Sequence, residues 1–179
     1  MSKENKRKFF LQDLMINIIG TFVGALLAVV CALFIYHMEG QNRCNAQLEL
    51  VRKESEYNRK IFEILISNLQ SIEKQGQIIH VKPSVRRLLS NATNEAYRSE
   101  YISRYVELEL NKAISIHCAN LNKFNRELDS FYTYIRSRID NPNVSFSFLN
   151  EWRNNLIEEI NRNNANSEDL IKRISSYLE

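Results

Sequence analysis

The chain has 179 residues, with 24 Lys and Arg against 21 Asp and Glu, and only four glycines and two prolines. That length holds one small domain with one core besides a membrane-length apolar run. No glycine follows Gly76, which argues against hairpins and sheets in the last hundred residues and for helices joined by short polar turns. Charge is unevenly spread: residues 80–138 carry ten basic and six acidic side chains, and residues 139–179 carry four and seven. Cys31, Cys44 and Cys118 have neither metal nor redox spacing, which leans toward a reducing compartment.

A basic tail, 1–13, comes first. Residues 14–36, LMINIIGTFVGALLAVVCALFIY, then carry no charge. As a helix they rise about 34 Å, enough for a hydrocarbon core of about 30 Å. The run is too long for a signal peptide and lacks a clear cleavage site. Gly20, Gly24 and Ala28 recur every fourth residue, with Asn17 one turn earlier on nearly the same face. Small residues at this spacing let helix backbones approach closely in lipid, and an amide there calls for a partner. The span is therefore expected to self-associate through Asn17, Gly20, Gly24 and Ala28. Orientation has two readings. Lys3, Lys6, Arg7 and Lys8 place the tail in the cytoplasm and the domain outside, whereas the cysteine usage suits a cytosolic domain.

Residues 37–76 read as a helical stalk. Leu48, Val51, Ser55, Asn58, Phe62, Leu65, Leu69 and Ile72 follow a 3-4 spacing, with Gly76 as the stop. This seam suits association with other copies, and equally packing against the chain's own helices. Residues 77–179 form the helical soluble domain. Gln77–Lys82 reads as a loop or one extended piece before Pro83, and a short helix is placed around Ser84–Leu89. Asn91, Thr93 and Asn94 offer an N-cap region for a helix over about 95–109. A second long helix runs from about Lys112 to Ile139, with a seam of Ile114, Cys118, Leu121, Asn125, Leu128, Tyr132, Ile135 and Ile139. Asn141-Pro142-Asn143 marks a turn. A helix with Leu149, Trp152, Leu156 and Ile160 follows, broken at Asn161–Asn166, and Ser167 starts a last helix with Leu170, Ile174 and Tyr177. The fold class is all-α: one N-terminal transmembrane helix, then a helical bundle, with oligomerisation expected.

No phosphate-binding glycine loop, paired metal-ligand histidines or CxxC motif is present, so neither catalysis nor a metal or other cofactor is expected. His117 and Cys118 adjoin, but neighbours on a helix point about 100° apart. The suggestive chemistry is basic and aromatic. Tyr97, Tyr101 and Tyr105 recur at i, i+4 and i+8, flanked by Arg98 and Arg104 and preceded by Lys82, Arg86 and Arg87. Lys123, Arg126, Arg136 and Arg138 lie on the next long helix with Tyr132 and Tyr134. Guanidinium forks grip phosphate oxygens and tyrosine faces stack on bases. The competing reading is that tyrosines at helical spacing line a core and arginines lie over them toward water. The interspersed acidic residues favour a small anionic ligand over extended nucleic acid. In a cyclic oligomer each arginine would recur around the axis and meet a symmetric polyphosphate ligand.

The anchor GTFVGALLAVVCALFIYHMEGQ, leading into LELVRKESEYNRKIFEIL and later LLSNATNEAYRSEYISRYVELEL, resembles the layout of small single-pass membrane effectors of prokaryotic antiphage defence. Within these it is most similar to the ancillary membrane proteins of type III CRISPR systems. The similarity covers roughly residues 13–130 and is a layout, not an invariant motif. It implies a cytosolic domain at the inner membrane that binds cyclic tetra-adenylate or a related cyclic oligoadenylate, assembles as a dimer or tetramer and perturbs the bilayer. On that reading Arg86, Arg87, Tyr97, Arg98, Tyr101 and Arg104 line the ligand site. The commonest nucleotide-sensing domain of such systems is an α/β Rossmann-like fold, and this sequence shows no such alternation. A scaffold or receptor without a nucleotide ligand, facing the periplasm, is the alternative.

Overall fold

The structure, a computed structural model, describes residues 3–75, 78–80, 87–138 and 146–179, without the side chains of 3–13, 73–75, 78–80 and Arg138. Lys82, Pro83, Arg86, Ile139 and the Asn141–Asn143 turn signal lie outside the described residues. Among the described residues five helices and one antiparallel strand pair follow one another: α1 (Lys3–Gln70), β1 (Glu73–Gln75), β2 (Ile78–His80), α2 (Asn91–Arg98), α3 (Glu100–Tyr105), α4 (Leu108–Arg138) and α5 (Phe146–Leu178). The chain divides into two compact units, 1–42 and 43–179.

The first unit is helical and its side chains from Leu14 to Glu39 are all exposed. α1 is the one helix among the described residues long and apolar enough to cross a membrane. No proline interrupts its 68 residues. The helix stops at Gln70, short of Gly76, because its last turn is tied off: Ser71 donates through its hydroxyl to the Asn68 carbonyl, and Arg153 of α5 donates to the Ile72 carbonyl. Beyond it β1 and β2 pair antiparallel, with Glu73 opposite His80 and Gln75 opposite Ile78. The extended piece expected near Ile78 is thus half of a strand pair, which the all-α reading did not foresee.

In the second unit the seam of α1 is an intramolecular one. All eight of its residues, Leu48 to Ile72, are buried. They face α4 and α5, which lie side by side in antiparallel register: the Phe131 ring is 5.3 Å from that of Trp152, and Lys123 reaches Glu159 at 2.7 Å. Two apolar clusters result. One joins Phe62, Leu65 and Leu69 to Leu121, Phe124, Leu128, Phe131, Leu156 and Ile160. The other joins Cys44, Leu48 and Val51 to Ala96, Ile102, Ile114, Leu170 and Ile174. In each long helix buried polar residues separate the two: Glu54, Ser55 and Asn58 in α1, His117 in α4, Asn163 and Ser167 in α5.

Three expectations are corrected. Leu88–Ser90 and Arg87 are not helical, so the short helix placed around 84–89 does not extend into the described residues. The helix expected over about 95–109 begins at Asn91 and breaks at Ser99, which is extended (φ −78°, ψ 127°) and caps α3 by accepting from the Tyr101 N–H. The break expected at 161–166 does not occur. α5 runs through it because Asn163 and Ser167 turn their side chains onto carbonyls four residues back in the same helix. Burial of both within the bundle outweighs their weak helix propensity.

Candidate functional site: an arginine-lined groove over α2 and α4

The segment from Arg87 to Ser99 is slung between α1 and α4 by polar side chains. Asn58 of α1 donates to the Leu89 carbonyl at 2.7 Å and accepts from its N–H at 2.8 Å. Asn125 of α4 does the same for Leu88, at 2.9 and 3.0 Å. Each amide thus satisfies one residue's backbone as a neighbouring strand would. The first turn of α2 has no side-chain cap of its own. The Glu54 carboxylate, from α1, accepts instead from the Ala92 and Thr93 N–H groups and from the Thr93 hydroxyl. A carboxylate at a helix N-terminus satisfies orphan donors and meets the positive end of the dipole. At the far end Ser99 donates to the Gln47 amide oxygen of α1. Facing α4, Asn94 accepts from Cys118 Sγ and Asn122 Nδ2.

This arrangement leaves a solvent-open groove of about 870 Å³ between α2, the segment before it and α4. Its walls carry Arg87, Tyr97 and Arg98 on one side and Asn122, Asn125, Arg126 and Asp129 on the other, with Asn91 and Asn94 along it. Among the described residues three guanidiniums face a single carboxylate. Arg87 is held by Asp129 in a two-point pair, Nε to Oδ1 at 2.9 Å and Nη2 to Oδ2 at 2.6 Å. Arg98 and Arg126 have no carboxylate partner among the described residues. The groove is therefore electropositive, wet, and furnished with amides and one exposed tyrosine face. These groups suit phosphate oxygens and base edges.

The residues expected to form one ligand site are divided. Arg87, Tyr97 and Arg98 line the groove; Arg86 lies outside the described residues; Tyr101 and Arg104 do not line it. The break at Ser99 causes this, because it takes the tyrosines off a common stripe. Tyr101 packs beside the second apolar cluster, where Arg43 donates to its hydroxyl at 3.1 Å and sits 5.6 Å from its ring centroid. Arg104 lies 5.9 Å from the Tyr105 ring centroid, and the Tyr105 carbonyl accepts from the Tyr177 hydroxyl. The second basic group disperses as well. Lys123 is spent on Glu159 and Glu127, Tyr132 is buried, Tyr134 stacks edge-on with Phe148, and among the described side chains of this group only Arg126 reaches the groove. The sequence reading omitted Asn94, Asn122 and Asp129. Asn122, Asn125, Arg126 and Asp129 share an i, i+3, i+4, i+7 face of α4, the one signal that could have found them.

His117 and Cys118 face different sides of α4, as the turn of about 100° between helix neighbours requires. Cys118 borders the arginine groove, while His117 borders a separate cavity of about 240 Å³ between α4 and α5. Burial pushes the Cys118 thiol up, which keeps it protonated and a poor nucleophile. Both His117 nitrogens are buried without a hydrogen-bond partner among the described residues, and burial pulls the imidazole down to about 4. Among the described residues no three His, Cys, Asp or Glu side chains gather as a metal site would require. Asn17, Gly20, Gly24 and Ala28 are exposed on α1.

Comparison with protein families, with curated proteins and with solved structures finds no match to this chain.

Proposed function

We propose that this chain is a membrane-anchored effector whose helical domain senses an anionic nucleotide messenger. The observation that carries the reading is the groove with Arg87, Arg98 and Arg126 beside Tyr97 and a row of amides. Its wall is bonded through Asn58 and Glu54 to the same helix, α1, that carries the uncharged span. A ligand that pulls on Arg98 or Tyr97 would strain contacts made directly to α1, which gives binding a route to the membrane. The exposed apolar surface from Leu14 to Tyr36 is far more than a soluble chain leaves in water, so lipid is its natural surroundings. A single-pass inner-membrane protein with its domain in the cytoplasm fits the reduced cysteines and the resemblance to antiphage effectors. Cyclic oligoadenylate, cyclic tetra-adenylate first, is the ligand class we favour. A dimer or tetramer would present several such grooves.

The test is thermal. Full-length protein in detergent micelles is titrated with cyclic tetra-adenylate and with cyclic dinucleotides. A ligand at about a hundred times its Kd adds about 2.7 kcal/mol to the stability of the domain, a rise of several degrees in Tm. Arg98→Ala combined with Arg126→Ala removes that rise. A flat melting temperature for every cyclic nucleotide ends the sensor reading. A scaffold without a nucleotide ligand gains support from the packing roles of Tyr101 and Arg104. A reporter at the C-terminus that proves periplasmic would favour it and exclude a cytoplasmic messenger.

A further inference from the structure

We infer that Asp129 withholds Arg87 from the groove until a ligand with several phosphates displaces it; the inference rests on the groove being an anion site. Among the described residues Asp129 is the only carboxylate lining the groove. It grips Arg87 at both guanidinium edges, at 2.9 and 2.6 Å, the geometry a phosphate would otherwise use. The backbone beside each partner is anchored. Asn58 and Asn125 fix the two residues after Arg87 at backbone level, and Asp129 stands on α4, one turn beyond Asn125. Arg98 and Arg126 lack such a partner among the described residues, so an arriving anion meets them first.

To recruit Arg87, the anion must break the pair and tolerate the freed Asp129 carboxylate beside it. The pair is largely solvent-exposed, with side-chain exposures of 67% and 41%, so the ion pair is weak enough to be displaced. One phosphate gains a single added guanidinium contact against that repulsion. A ligand with several phosphates engages Arg98 and Arg126 with some groups while another takes Arg87. Asp129 thus keeps Arg87 from a single phosphate, which meets only Arg98 and Arg126, and yields it to a ligand anchored there by its other phosphates.

The experiment is calorimetric titration of the full-length chain in detergent micelles with inorganic phosphate and with inorganic tripolyphosphate. Wild type binds tripolyphosphate and discriminates against phosphate. Asp129→Asn keeps the shape of the side chain and removes its charge. It raises affinity for tripolyphosphate by about fivefold or more, the scale of one nearby unit charge in high dielectric, and raises that for phosphate less. The preference for tripolyphosphate therefore widens. Equal affinities in wild type and Asp129→Asn overturn the inference. If tripolyphosphate binding is still lost in Arg98→Ala, the groove reading stands without it. If neither wild type nor Asp129→Asn binds either anion, both fall.

Discussion

His117 carries a polar ring in a place that gives it nothing to bond. It is 2% exposed, and both ring nitrogens lack a partner among the described residues. Its surroundings include Glu109 and Lys112 on α4 and Asp169 and Arg173 on α5, the last two paired at 2.7 Å. The folded value of about 4 lies below the ordinary 6.5, so the unfolded chain takes the proton first as pH falls. Stability from the neutral ring is complete above pH 6.5 and is lost as pH drops through 4. The gap corresponds to about 3 kcal/mol. His117→Leu removes this liability. Its denaturation curves at pH 7.5 and pH 4 should differ less than those of wild type, by up to about 3 kcal/mol. At neutral pH the variant should be no less stable, since an unbonded buried imidazole is replaced by an apolar group of similar size. Identical acid slopes for the two proteins would assign the titration to another group. The sequence placed His117 on a helix apart from other ligands, but its burial without a bond depends on α5 lying over it.

At the scale of elements, α2 is the part most dependent on others. Eight residues are marginal as an isolated helix, and only Thr93 and Ala96 are buried in it. Its start is held by Glu54, 38 residues earlier in the chain. Replacing Glu54 by Gln keeps one acceptor, loses the charge opposite the dipole and leaves an N–H under-satisfied, a cost of about 1–3 kcal/mol. Hydrogen exchange is the measurement that checks it. Amides of residues 91–98 should exchange faster in Glu54→Gln than in wild type, while those around Leu121–Phe131 keep most of their protection. Uniformly faster exchange would mean that Glu54 supports the whole bundle and not α2 in particular. The same logic explains the seam. Ser55 and Asn58 interrupt an otherwise apolar row as a register device for a self-associating stalk would, yet Asn58 instead binds the Leu89 backbone.

At the scale of the molecule, the apolar span and the domain pose different problems. A Cβ added to Gly20 or Gly24 would meet no atom within 4 Å, so no neighbour among the described residues requires either glycine. If they serve helix contacts between copies in lipid, Gly20→Leu with Gly24→Leu should weaken association by about 1–2 kcal/mol, read by energy transfer between labelled chains in vesicles. The melting of the domain should not change. Equal transfer efficiency in the variant and wild type would remove the small-residue face from the assembly. The core of the second unit is conventional in its energetics: Phe62, Phe124 and Phe131 are at most 1% exposed, and each brings a large apolar area to the helix contacts.

Local pattern determined much of this protein. A charge-free run marks a helix long and apolar enough to cross a bilayer, because the bilayer asks only for apolar side chains and internal backbone bonding. The seams of α1 and α4 were legible because burial on a helix follows a period of 3.6 residues, and that period is written in neighbouring residues. What the tertiary structure alone decided is the break at Ser99, the continuity of α5 through Asn161–Asn166, and the groove. Each turns on Ser, Asn or Glu side chains that can serve their own helix or a distant one. Asn58 reaches Leu89, Glu54 reaches Thr93 and Gln47 receives Ser99, all across 31 to 52 residues of chain. A polar side chain has no preferred period. Its partner is set by which backbone groups folding leaves unpaired beside it, and that is known only once the helices have packed.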